Sequence, residues 1–262
     1  MSCIYILEMM SDKKAIAWCF GYGSLVDSYA EKSKFVEVQI PYRRVWNAWN
    51  TKARATFLGL EKTRDGRKTA ISGVIYPIYT QQELADLDLR EQGYTKLNID
   101  HEDINIMNEG LVDWIQNMKL ESSMQLFTYV PETGGNKPIA QFPILQSYID
   151  LCAGGFLKFR KPNQPRDDTD PVRRFLDTTF GWSEYMLNDR VLARRPWKFC
   201  CNHFVIDDYL DDEDDVHDIP PALYPEEFVV RFWDELKKGD EMRRQVKGEA
   251  RATYVANMNY GM

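Results

Sequence analysis

The stretch Ala15 to Leu25 (AIAWCFGYGSL) constrains the fold of this chain more than any other. Its first half is apolar almost throughout, which predicts a short strand buried on both faces. Gly21 and Gly23 flank Tyr22 and permit a tight turn that leaves main-chain N–H groups free of side-chain cover. Such a turn can offer amide donors to a small anion, a carboxylate as readily as a phosphate. It can also end a strand with no ligand at all. A dinucleotide fingerprint is excluded, because G-x-G-x-x-G requires glycine or alanine where Val26 stands.

Composition bounds the remaining choices. The chain has 262 residues, 44% of them hydrophobic, enough to bury a sizeable core in one domain with appendages. We place that domain at 15–160 and a C-terminal extension at 161–262. A net charge of −7 argues against a nucleic-acid partner, which would select a basic face. The opening residues lack the basic n-region of a signal peptide, and no apolar run has transmembrane length, so no membrane partner is expected. The five cysteines have no regular spacing and Cys200 and Cys201 are adjacent, which predicts reduced thiols in a cytoplasmic protein.

Downstream of the glycine turn, 35–40 alternates as a half-buried strand, 42–47 continues extended after Pro41, and a further strand lies near 53–60. Arg64 to Arg67 carries a hairpin signal, and 70–78 is predicted to close that hairpin, with Pro77 near the strand end. Short turns between strands imply a mainly antiparallel sheet or small barrel. Thr80 and Glu83 then form a capping box that opens a helix, and Gly93 ends it. The helical period places Leu84, Leu87, Asp88 and Glu91 on one face, directed at the core. A carboxylate there is a wrong helical register, a core ion pair, or a group whose pKa burial raises. Arg90, Arg43 and Arg44 are the partners available for a pair.

The combination of FGYGSL at 20–25, YRRVW at 42–46 and LDLREQGY at 87–94 resembles the γ-glutamylcyclotransferase-like superfamily. The REQGY segment is similar to its glutathione-cleaving branch, and LFTYV at 126–130 resembles a strand that follows in these proteins. The resemblance spans about 15–155. It implies an α+β fold, a small mixed or antiparallel β-barrel with helices packed outside, and a reaction without cofactor or metal. In that family the substrate's α-amine attacks its own γ-carbonyl, releasing an amine and leaving 5-oxoproline. Carried over, Glu91 is the acid/base. Tyr22, Gly23, Ser24 and Leu25 grip the glutamyl α-carboxylate, while Tyr94 and Tyr129 orient Glu91 or the glutamyl group. The small-molecule substrate stays open among glutathione, a γ-glutamyl amino acid and a γ-glutamylamine. The alternative is a catalytically silent ligand-binding or interaction module, against which the presence of Glu91 counts.

Other features take simpler readings. His101 reads as a solvated surface histidine, and 131–138 as a mobile glycine-containing loop. Residues 142–152 form a helix with Pro143 in its first turn and Gly154 beyond its end. Asp170 and Pro171 start another helix by cap and proline. Cys200, Cys201 and His203 lack the spacing of a zinc site. The acidic run within 205–218 lacks the glycine and closing glutamate of a calcium loop, so we expect a solvated loop. The stripe Phe228, Val229, Phe232, Trp233 and Leu236 predicts an amphipathic helix over 226–236 folded back on the main domain.

Overall fold

The computed structural model describes residues 14–105, 125–132, 135–192, 202–211 and 219–247, the last seven by backbone alone. The apolar run forms strand β1 (Ala17–Gly21), buried at every position. Both edges of β1 are paired as well. It pairs antiparallel with β5 (Thr69–Ile78) and parallel with β8 (Gln125–Pro131). With β2 (Lys34–Ile40), β6 (Tyr94–Asn98) and β7 (Ile104–Asn105) these make a six-stranded sheet ordered β6-β8-β1-β5-β2-β7. A second sheet joins β3 (Tyr42–Asn50) to β4 (Ala55–Lys62) and to β10 (Thr179–Phe180). The strands β3 and β4 contact β5 and β8, so the sheets face one another across the core.

The α+β class with mixed sheets is as expected, but the sheets stay open and close no barrel among the described residues. The predicted hairpin of β4 with β5 is also absent. The turn itself is present, with Gly66 at φ 69° and Arg67 N–H donating to the Asp65 carboxylate. Both edges of β5 are taken by β1 and β2, so the turn carries the chain from one sheet to the other.

Helix α1 (Ser24–Tyr29) follows the glycine turn directly. Helix α2 (Gln81–Arg90) opens with the expected capping box: Thr80 Oγ1 accepts from Glu83 N–H, and the Glu83 carboxylate accepts from Thr80 N–H. It ends at Arg90, earlier than expected, and Gly93, two residues past the C-cap Glu91, has the positive φ of 92° that suits a glycine. Only Leu87 of α2 is buried; Asp88 is exposed and Glu91 sits just past the helix as its C-cap. The helix lies on the surface, and its leucine stripe is narrower than the periodicity implied.

Helix α3 (Gln146–Leu157) begins after β9 (Ile144–Leu145), so Gly154 and Gly155 lie within the helix, not beyond it. A Cβ at Gly155 would meet Asp27 N at 2.6 Å and Cα at 2.9 Å, so glycine is what lets α3 approach α1. Helix α4 (Pro171–Asp177) is capped by Asp170, which accepts from Val172 and Arg173 N–H. The chain beyond 161 is built into the same core. Strand β10 pairs with β3, β11 (Met186–Leu187) pairs with β9, and α4 packs on α3.

Helix α5 (His203–Leu210) buries Ile206 and Tyr209, so the first acids of the acidic run, Asp207 and Asp208, are helical; 212–218 lies outside the described residues. The expected 226–236 helix is two, α6 (Pro225–Arg231) and α7 (Trp233–Lys247), divided at Phe232. Phe228, Phe232 and Leu236 are buried, whereas Trp233 is half exposed. Phe232 packs on Tyr185, and Gln141 donates to Glu235 O, which folds the pair back as expected. His101 is in a single 3-10 turn, partly buried; Cys200, Cys201, residues 106–124, and residues 133–134 of the glycine loop lie outside the described residues. Among the described residues no helix is long and apolar enough to cross a membrane, and no group of three His, Cys, Asp or Glu could hold a metal ion.

Candidate active site

The end of β1, the start of α1 and the C-terminal turn of α2 converge on one cavity of about 240 Å³. Tyr22, Gly23, Ser24 and Leu25 form one wall, Arg90, Glu91, Gln92 and Tyr94 another, and Tyr129 of β8 joins them. Every site residue expected from the sequence therefore lines a single pocket. Asn50, Phe57, Leu58 and Tyr148 complete it.

The turn is shaped for this. Gly23 is the N-cap of α1 and Val26 N–H donates back to its carbonyl at 2.9 Å. The amides that open a helix have no i−4 acceptor, so, Val26 N–H apart, those of the first turn are available to a guest. A side chain at Gly23 would point at the opposite wall, its Cβ 3.5 Å from Leu58 Cδ1 and 3.5 Å from the Tyr148 hydroxyl. Tyr22 itself is buried and donates to Tyr129 O at 2.8 Å, tying the turn to β8 across the parallel pair.

Glu91 is the acid in this wall. Its side chain is 15% exposed and lies 3.3 Å from Arg90 Nε. Burial raises its pKa above the usual glutamate range, and the Arg90 charge opposes the rise without cancelling it. The partner is thus Arg90, not Arg43, which pairs with Glu61 at 2.6 Å, nor Arg44, which is turned into the core. The Arg90 guanidinium also donates to Ser28 Oγ at 3.0 Å and Ser24 Oγ at 3.4 Å, so one cation touches both the turn and the carboxylate.

Three tyrosines close the pocket. Tyr94 donates to Leu58 O at 3.3 Å, Tyr129 donates to Asp88 at 2.5 Å, and Tyr148 stacks on Phe57 with centroids 4.7 Å apart. Burial pushes all three hydroxyls above the normal phenol range, so they are neutral at pH 7. By its helical period Tyr148 belongs to a core helix face, and neither Arg90 nor Asn50 is expected in the pocket wall. Nothing local marks them. Tyr148 enters because Gly155 lets α3 sit against α1, and Asn50 because β3 ends beside the pocket.

No family model matches the chain, and no curated protein does. Among solved structures it is similar to a yeast γ-glutamyl cyclotransferase specific to glutathione, at 14% identity over 62% of this chain and 96% of that one, TM-score 0.42. It is similar also to a further γ-glutamyl cyclotransferase, at 9% identity over 74% and 97% of the two chains, TM-score 0.38. A third is YkqA from Bacillus subtilis, at 16% identity, TM-score 0.37, covering 56% of this chain; the chain spans about half of YkqA's length (51%). At these TM-scores the functional reading rests on the pocket's own geometry.

Proposed function

We propose that the chain is a γ-glutamyl cyclotransferase, converting a γ-glutamyl compound to 5-oxoproline and a free amine. The observation that carries this reading is the placement of Glu91, a largely buried carboxyl with a raised pKa, in the same cavity as the Tyr22–Leu25 turn. The turn amides, with Arg90 beside them, suit an α-carboxylate. Glu91 then faces the α-ammonium of a substrate so held and takes its proton. The freed amine attacks the γ-carbonyl carbon of the same molecule and forms the ring C–N bond. As the tetrahedral centre collapses, the old C–N bond breaks, the leaving nitrogen takes a proton from Glu91, and the second proton of the ring nitrogen passes to the carboxylate so regenerated and on to the released amine, which leaves as an ammonium. Nucleophile and electrophile belong to one molecule, so holding the ring-closing conformer supplies much of the acceleration. The carboxyl needs a pKa drawn towards neutrality because it must serve in both directions. The cavity is large enough for a glutamyl group, with the leaving group extending towards solvent.

The direct test is incubation of the purified chain with glutathione, γ-glutamyl amino acids and γ-glutamylamines, scoring 5-oxoproline. Formation from at least one class is expected, and failure with all three sets the reading aside. The turn has its own test. Gly23→Val directs methyl groups at Leu58 and Tyr148, into the space assigned to the substrate. We expect a folded variant whose KM rises at least about tenfold, the cost of roughly 1.4 kcal/mol of lost binding. A folded Gly23→Val protein with parental kinetics would show the turn to be structural only.

A further inference from the structure

Asp88 lies one helical turn before Glu91, exposed and outside the pocket wall, yet it is bonded to a residue within that wall. Tyr129 donates its hydroxyl proton to Asp88 Oδ1 at 2.5 Å, and Lys96 Nζ holds Asp88 Oδ2 at 2.8 Å. Lys96 and Tyr129 are register partners across β6 and β8, so their side chains rise from the same face of the sheet. The sheet register and the helix thus build a Lys96–Asp88–Tyr129 chain that ends at the pocket.

Resting on the cyclotransferase reading, we infer that Asp88 is a positioning residue that fixes the Tyr129 hydroxyl as a hydrogen-bond acceptor for the substrate's α-ammonium. An ionised carboxylate only accepts, so a phenol bonded to it must spend its single proton there. The oxygen lone pairs then remain for the pocket. An α-ammonium brings three N–H donors, of which Glu91 takes one. A second acceptor at Tyr129 fixes the rotation of that nitrogen, so its lone pair points at the γ-carbonyl once the proton has gone. A tyrosine free to rotate would sometimes aim its own proton at the ammonium, which opposes binding. Lys96 keeps Asp88 in the required charge state. Partial burial acts to raise the Asp88 pKa, but the Lys96 and Tyr129 hydrogen bonds outweigh it and the net shift is downward.

The experiment is a double-mutant cycle on the full chain, with Asp88→Asn, Tyr129→Phe and the pair, assayed for 5-oxoproline and for melting temperature. An asparagine can donate an amide proton to the phenol and so release its hydroxyl to turn inward. We expect Asp88→Asn to lower kcat/KM about tenfold, the size of one hydrogen bond to a charged group. The melting temperature should stay near the parent's because Asp88 is exposed. The loss should vanish in the Tyr129→Phe background, where no hydroxyl remains to orient. Parental kinetics in Asp88→Asn, or an equal loss when Asp88→Asn is added to Tyr129→Phe, overturns the inference. If Glu91→Gln is inactive in the same assays, the cyclotransferase reading survives that result. A parent chain inactive on every γ-glutamyl compound overturns both.

Discussion

Glu91→Gln is expected to abolish most turnover while leaving the fold intact. Glutamine keeps the volume and much of the hydrogen bonding of the side chain but cannot exchange a proton. General acid–base contributions are about 10²–10⁴-fold, so a loss of at least that order in kcat is the expected result. The pH profile carries the same argument. The base must be ionised in the free enzyme, and burial raises the Glu91 pKa despite Arg90. The acid limb of kcat/KM should therefore lie above the usual glutamate range. The linked effect on stability has a definite sign. A carboxyl whose folded pKa is raised favours the folded state below its unfolded pKa, and that advantage is lost as pH rises through the folded pKa. At neutral pH Glu91→Gln should thus melt at or slightly above the parent temperature. A folded variant that still forms 5-oxoproline near the parental rate sinks the mechanism. A sharp fall in melting temperature instead assigns Glu91 to an ion pair with Arg90.

Arg44→Met is expected to destabilise the fold strongly. Arg44 is fully buried, and its five N–H groups reach six oxygens, all neutral, with one Nη2 proton shared. Its guanidinium reaches Tyr22 O at 3.0 Å and Ser72 O at 2.8 Å on one side. On the other it reaches Phe175 O at 2.7 Å, Thr178 Oγ1 at 2.6 Å and Thr179 Oγ1 at 2.7 Å. Burial lowers its pKa to about 9, which leaves it charged at neutral pH. Its charge rests over the ring of Phe175, 4.5 Å from the centroid. Hydrogen bonds to a charged group are worth about 1.5–3 kcal/mol each, and those made by the five N–H groups together exceed the several kcal/mol that taking the charge from water costs. Methionine fills the volume but leaves the carbonyls short of a donor. We expect a net loss of about 3 kcal/mol or more, and a fall in melting temperature of roughly 6–12 °C. Because one of the orphaned carbonyls is that of Tyr22, the surviving folded fraction should also bind substrate less well. An unchanged melting temperature would show that the neighbouring hydroxyls and water replace the guanidinium.

What the sequence determined by itself is what a few adjacent residues can encode. An unbroken apolar run before two glycines specifies a buried strand and a turn, and β1 and the start of α1 stand there. Thr80 with Glu83, Asp170 with Pro171, and Gly93 each act through hydrogen bonds or dihedrals within one helical turn, so α2 and α4 begin where their caps stand and α2 is followed by the glycine expected to end it. Glu91 and the Tyr22–Leu25 turn were legible as a pair because they belong to compact motifs.

The tertiary structure decided everything that depends on which distant segments meet. No local signal tells β5 to pair with β1 and β2 instead of β4, since both arrangements satisfy the same alternation. Helical period put Glu91 on a buried leucine stripe. Its burial in fact comes from the C-cap turn and the walls of the cavity, which the period does not describe. Tyr148 and Asn50 read as ordinary residues, and Arg90 as no more than a candidate ion-pair partner of Glu91, until α3, β3 and α2 are brought to one place. Arg44 reads as a candidate ion-pair partner of Glu91 until α4, its C-cap Thr178 and β10, from beyond residue 160, close over it and supply three of its acceptors. A buried charge is tolerated only where enough oxygens converge on it, and that convergence is a property of the assembled fold.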